Sequence, residues 1–142
     1  MVTRYLVDSD VSIDFLGRRL EIVSLFDQLL PAGIAISVVT YMEMYQGNLR
    51  SGSYEESMGA LQRFLLTVPA LPVTMEVAGR CAEIRSDLQR RGRSIRPRAL
   101  DLLIAATAIE HDLTLVTRNV ADYGDVQGLR LLTLPGSASA ET

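Results

Sequence analysis

The sequence holds no lysine, one cysteine and one histidine. A lone cysteine, Cys81, excludes an intrachain disulfide and fits a reducing compartment. Cys81 and His111 cannot by themselves supply a zinc site of the cysteine and histidine type. Any metal must therefore be held by oxygen atoms, which points to the hard cations Mg²⁺, Mn²⁺ or Ca²⁺. No apolar run approaches the ~20 residues that span a bilayer, so no membrane partner is expected. Met1 to Asp8 sets Arg4 and Asp8 around a short apolar run, unlike a signal peptide, and a cytoplasmic protein is expected.

What is present is the composition of a globular domain: 142 residues, 48% hydrophobic and 22% charged. One domain over residues 1–134 is expected, followed by a small polar tail, 135–142 (PGSASAET), expected to be disordered. A net charge of −3 does not by itself mark a nucleic-acid binder. All 14 basic residues are arginine, and half of them fall in one stretch: Arg80, Arg85, Arg90, Arg91, Arg93, Arg96 and Arg98. The planar guanidinium fork suits phosphate oxygens, although such a run also describes a solvated helix face.

Strands and helices alternate along the chain. Thr3 to Val7 reads as a short buried strand ending at Asp8, and Ser9 or Asp10 as the cap of a helix that stops at Gly17. Ile22, Val23, Leu25, Phe26, Leu29 and Leu30 form a helical stripe closed by Pro31. Ile34 to Ser37 reads as a second strand, with a helix beginning at Thr40. Helices are predicted over 53–66, 74–91 and 98–111. Between the first two, Pro69 and Pro72 confine any strand to a short edge piece. Leu113 to Thr117 and Leu129 to Leu134 read as the last two strands. Apolar strands without polar alternation predict an α/β fold whose parallel sheet is covered on both faces.

In such sheets ligands sit beyond the carboxyl ends of the strands, and the acids gather there. Asp8 follows the first strand, Glu43 lies in the first turn after the second, and Asp101 in the first turn of the Ala-rich helix. Asn119 and Asp122 follow the strand ending at Thr117. Each has a structural explanation alone. Asp8 and Asp10 suit helix caps, Thr40-Tyr41-Met42-Glu43 fits a capping box, Asp101 suits a helix dipole, and Asn119 and Asp122 suit a turn. None of these explains why four acids meet at one sheet edge. Clustered carboxylates repel unless a cation intervenes. An all-carboxylate set is what Mg²⁺ or Mn²⁺ accepts, and it suits phosphodiester hydrolysis. One ion or two remains open.

Three segments resemble a known family: YLVDSDVSIDFL, ISVVTYMEMYQG and RSIRPRALDLLIAATAIEHDLTLVTRNVADYGDVQGLRLL. They are similar to PIN-domain ribonucleases, specifically the VapC-type toxins of prokaryotic toxin–antitoxin pairs, from Tyr5 to about Leu132. The resemblance implies a three-layer α/β/α fold with a central parallel sheet, a homodimer, and a cognate antitoxin that blocks the site. It puts Asp8, Glu43 and Asp101 on the three core metal-binding acids, and Thr117 on the polar residue before the last acidic segment. Many members carry aspartate where this chain has Asn119, which makes Asp122 the fourth acid. Asp10 stands where asparagine is common. The implied activity is Mg²⁺-dependent RNA cleavage, with Mn²⁺ as a substitute. Arg91, Arg93, Arg96 and Arg98 lead into Asp101 and are candidates for holding RNA phosphates.

Two other readings compete. YLVDSDVS also resembles the first motif of haloacid-dehalogenase-like phosphatases, with Asp8 as nucleophile and Asp10 as acid/base. A PIN-like module that binds without catalysis is the second. His111 suits a helix C-terminus and Cys81 a core position. Tyr41, Met42, Met44 and Tyr45 read as helix packing. The apolar face Met58, Leu61, Phe64 and Leu65 suits either the core or a protein partner.

Overall fold

The computed structural model describes residues 2–135, and the expected tail from residue 136 onward lies outside the described residues. Five strands form one sheet: β1 (Tyr5–Val7), β2 (Ile34–Ser37), β3 (Ala70–Leu71), β4 (Thr114–Thr117) and β5 (Arg130–Thr133). Their order is β3-β2-β1-β4-β5, and every pair is parallel. The helices are α1 (Ser9–Leu16), α2 (Leu20–Leu29), α3 (Val38–Leu49), α4 (Tyr54–Leu65), α5 (Met75–Arg90), α6 (Ala99–Glu110) and α7 (Val120–Tyr123).

Alternation along the strands divides the interior into two cores. Leu6, Ala35 and Leu115 join Leu88, Leu102 and Ala105 on one face, while Val7, Ile34, Ile36 and Val116 join Val11, Phe26, Leu61 and Phe64 on the other. Successive strand residues point to opposite faces, so strands that are apolar at every position demand helices on both sides. Three layers follow. On α5 the buried stripe is Val77, Cys81, Ile84 and Leu88, spaced as one helical face. Helix α6 buries residues nearly all round, from Leu102 through Ala108, because it lies between α5 and the sheet. Cutting Leu102 to alanine removes roughly 2–5 kcal/mol. Leu61 and Phe64 are buried in the second core, so that face of α4 is packing, as is Cys81 in the first.

Gly33 sets the register of the first two strands. Its φ of 92° is one that side chains resist, and an added Cβ there would run into the backbone of Val2 and Thr3. Its carbonyl accepts the N–H groups of Arg4 (3.0 Å) and Tyr5 (3.1 Å). β1 is thus fixed beside β2, with Tyr5 opposite Ile34.

Several boundaries differ from expectation. Helix α3 starts at Val38, because the Ser37 hydroxyl accepts the Val39 N–H at 3.0 Å and caps the helix directly at the strand end. The capping box at Thr40 is therefore absent, and Glu43 lies in the second turn. Of the caps that the sequence offered for α1, the one used is Asp8, and neither Ser9 nor Asp10 takes that place. The expected turn after β4 contains the short helix α7. β3 is a two-residue edge strand flanked by Pro69 and Pro72, as the prolines require. Among the described residues no helix is long and apolar enough to cross a membrane.

Candidate active site

After β3 the chain crosses back over the sheet to place β4 on the far side of β1. Connections leaving β1 and β4 therefore diverge at their carboxyl ends and open a crevice there. Asp8 stands at this point, 5% exposed. Its Oδ1 accepts the Ser9 N–H at 2.9 Å and the Tyr123 hydroxyl at 3.0 Å, and its Oδ2 accepts the Thr117 hydroxyl at 2.7 Å. Burial pushes its carboxyl above the ordinary value despite these three bonds, with Glu43 adding to the rise.

Helices α1 and α3 bring in the second acid. The Ser9 hydroxyl donates to Glu43 Oε1 at 2.6 Å and lies 3.0 Å from the Thr40 hydroxyl. One residue thus offers its backbone to Asp8 and its side chain to Glu43. Asp101 enters from the first turn of α6, where a helix N-terminus favours negative charge. Burial outweighs that benefit, and with Asp8 and Asp122 nearby its carboxyl is raised to about 6. The Tyr123 hydroxyl reaches Asp101 Oδ1 at 3.3 Å.

Asp122 lies on α7, where its Oδ2 accepts from the Asn119 side-chain amide. Asn119 is exposed, and its own N–H donates to Thr117 Oγ1 at 2.9 Å. Asp10 sits to one side. Its carboxyl is raised by burial and by Asp8, but Arg118 lies 4.0 Å away and pairs with Asp14 at 2.5 Å. Among the described residues, none of Asp8, Glu43, Asp101 and Asp122 makes a salt bridge. Among the described residues, negative charge thus gathers here with no protein cation paired to it.

The donor set is all oxygen and half-desolvated, which is the chemistry a hard divalent cation accepts. Among the described residues no three His, Cys, Asp or Glu side chains converge closely enough to enclose an ion alone. An ion here would keep part of its water shell, as Mg²⁺ does when one or two carboxylates hold it. The residues present fit that mode of binding.

The arginines are placed differently from expectation. Arg98 is 8% exposed. Its guanidinium donates to Asp125 (2.7 and 3.2 Å), to the Ser94 carbonyl (2.7 and 3.0 Å) and to the Asp122 carbonyl (3.1 Å). Arg98 is committed to holding α7 in place and has little left to offer a phosphate. Arg91 is held by Asp87 and by the Asp125 carbonyl at 2.7 Å. Arg93 approaches Asp125 at 4.0 Å, and Arg93 and Arg96 are exposed. His111 is the exposed C-cap of α6, as its helix-end position predicts.

Sequence reasoning missed Tyr123, whose hydroxyl joins Asp8 to Asp101, and Ser9, which joins Asp8 to Glu43. A search for acids passes over both. The signal for Ser9 was its place directly after a strand-end aspartate, and for Tyr123 its being the one aromatic between the last two strands.

A family model described as PIN domain matches residues 5–122. The chain is 28% identical over 127 residues to the tRNA(fMet)-specific endonuclease VapC of Shigella flexneri, covering 89% of this chain and 95% of that relative. It is 31% identical over 129 residues to Ribonuclease VapC2 of Haemophilus influenzae, again covering 89% and 95%. Its fold is similar to that of VapBC2 from Rickettsia felis bound to a promoter DNA fragment, with TM-score 0.84, 24% identity, and coverage of 93% and 99%. It also resembles VapBC-1 from nontypeable Haemophilus influenzae, with TM-score 0.80, 26% identity, and coverage of 92% and 98%.

Proposed function

The chain belongs to the PIN domain family, and from that premise we propose that it is the toxin of a toxin–antitoxin pair, a Mg²⁺-dependent endoribonuclease. The observation that carries the reading is the crevice at the carboxyl ends of β1 and β4, where buried Asp8 gathers with half-buried Glu43, Asp101 and Asp122 and, among the described residues, no protein cation pairs with them. The relatives named as ribonuclease or endonuclease cover nearly the whole chain, and structural neighbours are VapBC assemblies.

In this reading Asp8 and Asp101 hold the cation, with Glu43 and Asp122 beside them and Mn²⁺ able to replace Mg²⁺. A cation bound there polarises the phosphoryl oxygen and lowers the pKa of a bound water. The protein's own groups prepare the site. Thr117 and the Ser9 N–H fix Asp8, the Ser9 hydroxyl fixes Glu43, and Asn119 holds Asp122. Arg98 anchors the turn carrying Asp122 and Tyr123. Asp10 sits to one side, 4.0 Å from an Arg118 that pairs more closely with Asp14, and is kept as a secondary polar residue outside the ligand set. Arg93 and Arg96 remain as exposed guanidiniums for RNA phosphates, which the acids would otherwise repel.

We further place the protein in the cytoplasm, paired with a cognate antitoxin and with a second copy of itself. Met42 and Leu49, exposed and apolar on α3, support self-association. The phosphatase reading loses ground, because the matching family model is the PIN domain and the relatives matched over nearly the whole chain are named as nucleases. The test is cleavage of structured RNAs with Mg²⁺ or Mn²⁺, beside an Asp8→Asn variant. The proposal requires cation-dependent cleavage that this substitution abolishes. Binding of RNA without cleavage would favour the non-catalytic module.

A further inference from the structure

The Tyr123 hydroxyl is an unusual occupant of a carboxylate cluster. Its ring is 1% exposed and packed in the first core, so the phenol oxygen is held at a fixed point. From there it meets Asp8 Oδ1 at 3.0 Å and Asp101 Oδ1 at 3.3 Å, and its single proton serves both. A carboxylate has about four lone-pair sites. On Asp8 the two sites of Oδ1 are taken by the Ser9 N–H and by Tyr123, and one on Oδ2 is taken by Thr117. One site remains, on Oδ2. On Asp101 the protein engages Oδ1 alone among the described residues.

Asp8 is thereby reduced to one available oxygen, and the Tyr123 hydroxyl is one of the two donors that fill its Oδ1, whereas Asp101 Oδ1 keeps a second site. This matters because hard cations differ in what they ask of a carboxylate. Ca²⁺ takes six to eight oxygens and commonly claims both oxygens of one carboxylate. Mg²⁺, being smaller, demands near-octahedral geometry and takes single carboxylate oxygens alongside retained water. Two-oxygen chelation by Asp8 requires its Oδ1 to give up either the Ser9 N–H or the Tyr123 hydroxyl, at the cost of a buried hydrogen bond to a charged group.

We propose that Tyr123 is a specificity-determining residue of the cation site, which selects against Ca²⁺ by completing, with the Ser9 N–H, the occupation of Asp8 Oδ1. The inference rests on the cation reading above and deepens it. A purely structural tyrosine would behave differently. Its loss would weaken every cation alike, whereas loss of a selector changes the ratio between cations.

The experiment measures binding of Mn²⁺ and Ca²⁺, each alone, to the full chain by titration calorimetry. Wild type and Tyr123→Phe are compared, since phenylalanine keeps the ring and removes only the hydroxyl. The expected result is a wild type that prefers Mn²⁺, and a variant whose preference over Ca²⁺ falls by about tenfold, the lower range for a group bonded to a metal ligand. A ratio unchanged or increased in the variant overturns the inference while leaving the cation site intact. A wild type that binds neither ion overturns both. Tyr123→Met, apolar and without a hydroxyl, takes the same measurement should the phenylalanine variant not fold, and the same outcomes decide it.

Discussion

Two clusters of charge lie close together in this molecule, and their electrostatic states are opposite. The acids at the carboxyl end of the sheet, Asp8, Glu43, Asp101 and Asp122, lack any ion pair among the described residues, and Asp101 is raised to about 6. The arginines just ahead of α6 are largely spent. Arg98 closes on Asp125 and two carbonyls, and Arg91 closes on Asp87 and a third carbonyl. In sequence both look like functional charge. In three dimensions the arginines complete their own partners, while the acids are left incomplete. Charge that the fold neutralises is structural, and charge that it leaves unbalanced is waiting for a ligand.

The sharpest way to break the comparison is to remove charge from each side. Asp8→Asn or Asp101→Asn should cut RNA cleavage by about 10²-fold or more, exceeding the loss expected for groups that only support a metal ligand. In chelator, Asp101→Asn should raise the melting temperature, because the folded protein disfavours the charge it removes. The opposite is expected across the boundary. Arg98→Gln strands the Asp125 carboxylate and should cost about 3 kcal/mol, roughly 6–12 °C in a chain of this size. Thermal melts of the two variants side by side check the contrast. Equal shifts in one direction would dissolve it.

A finer contrast lies within the arginines. Replacing Arg93 and Arg96 with glutamine should leave the melting temperature unchanged and weaken RNA binding several-fold. It should also flatten the salt dependence by about 0.7 for each phosphate that is no longer neutralised. Filter binding at several salt concentrations reads both, and unchanged binding would remove these two residues from the RNA path.

The smallest effect is in pH. Asp101's carboxyl is held at about 6, above its ordinary 3.8, so the folded chain takes up a proton before the unfolded chain does. Metal-free protein should therefore gain stability as pH falls from about 6 toward 4, and lose that gain as pH rises through 6. Asp125 behaves in reverse. Arg98 holds its carboxyl below the usual range, so its contribution persists above 3.8 and is lost only on stronger acidification. Melts in chelator at about pH 7 and about pH 5 should differ in the stated sense, and Asp101→Asn should shrink the difference.

Much of this was legible in the chain. Strands that are apolar at consecutive positions, such as Leu6-Val7 and Leu115-Val116, require cover on both faces, and the split of those pairs between two cores is that requirement met. The ends of β1 and β4 then put Asp8 and Asp122 near one crevice, and the start of α6 adds Asp101. What stayed hidden depended on contacts distant in sequence. Nothing local distinguishes Arg98, buried against Asp125, from Arg96, which is exposed. Helix α7 is four residues long, too short to show a period, so the aromatic it carries into the site had no pattern to announce it. The cap of α3 was a contest between Ser37 and Thr40, decided by where β2 ends.

The central claim is that the unbalanced carboxylates are a cation site serving RNA hydrolysis. The direct measurement is cleavage of RNA by the purified chain, with Mg²⁺ and then with the cation removed by chelator. Cleavage that stops on chelation and returns when Mg²⁺ or Mn²⁺ is restored is the predicted result. Cleavage that continues undiminished in chelator would contradict it.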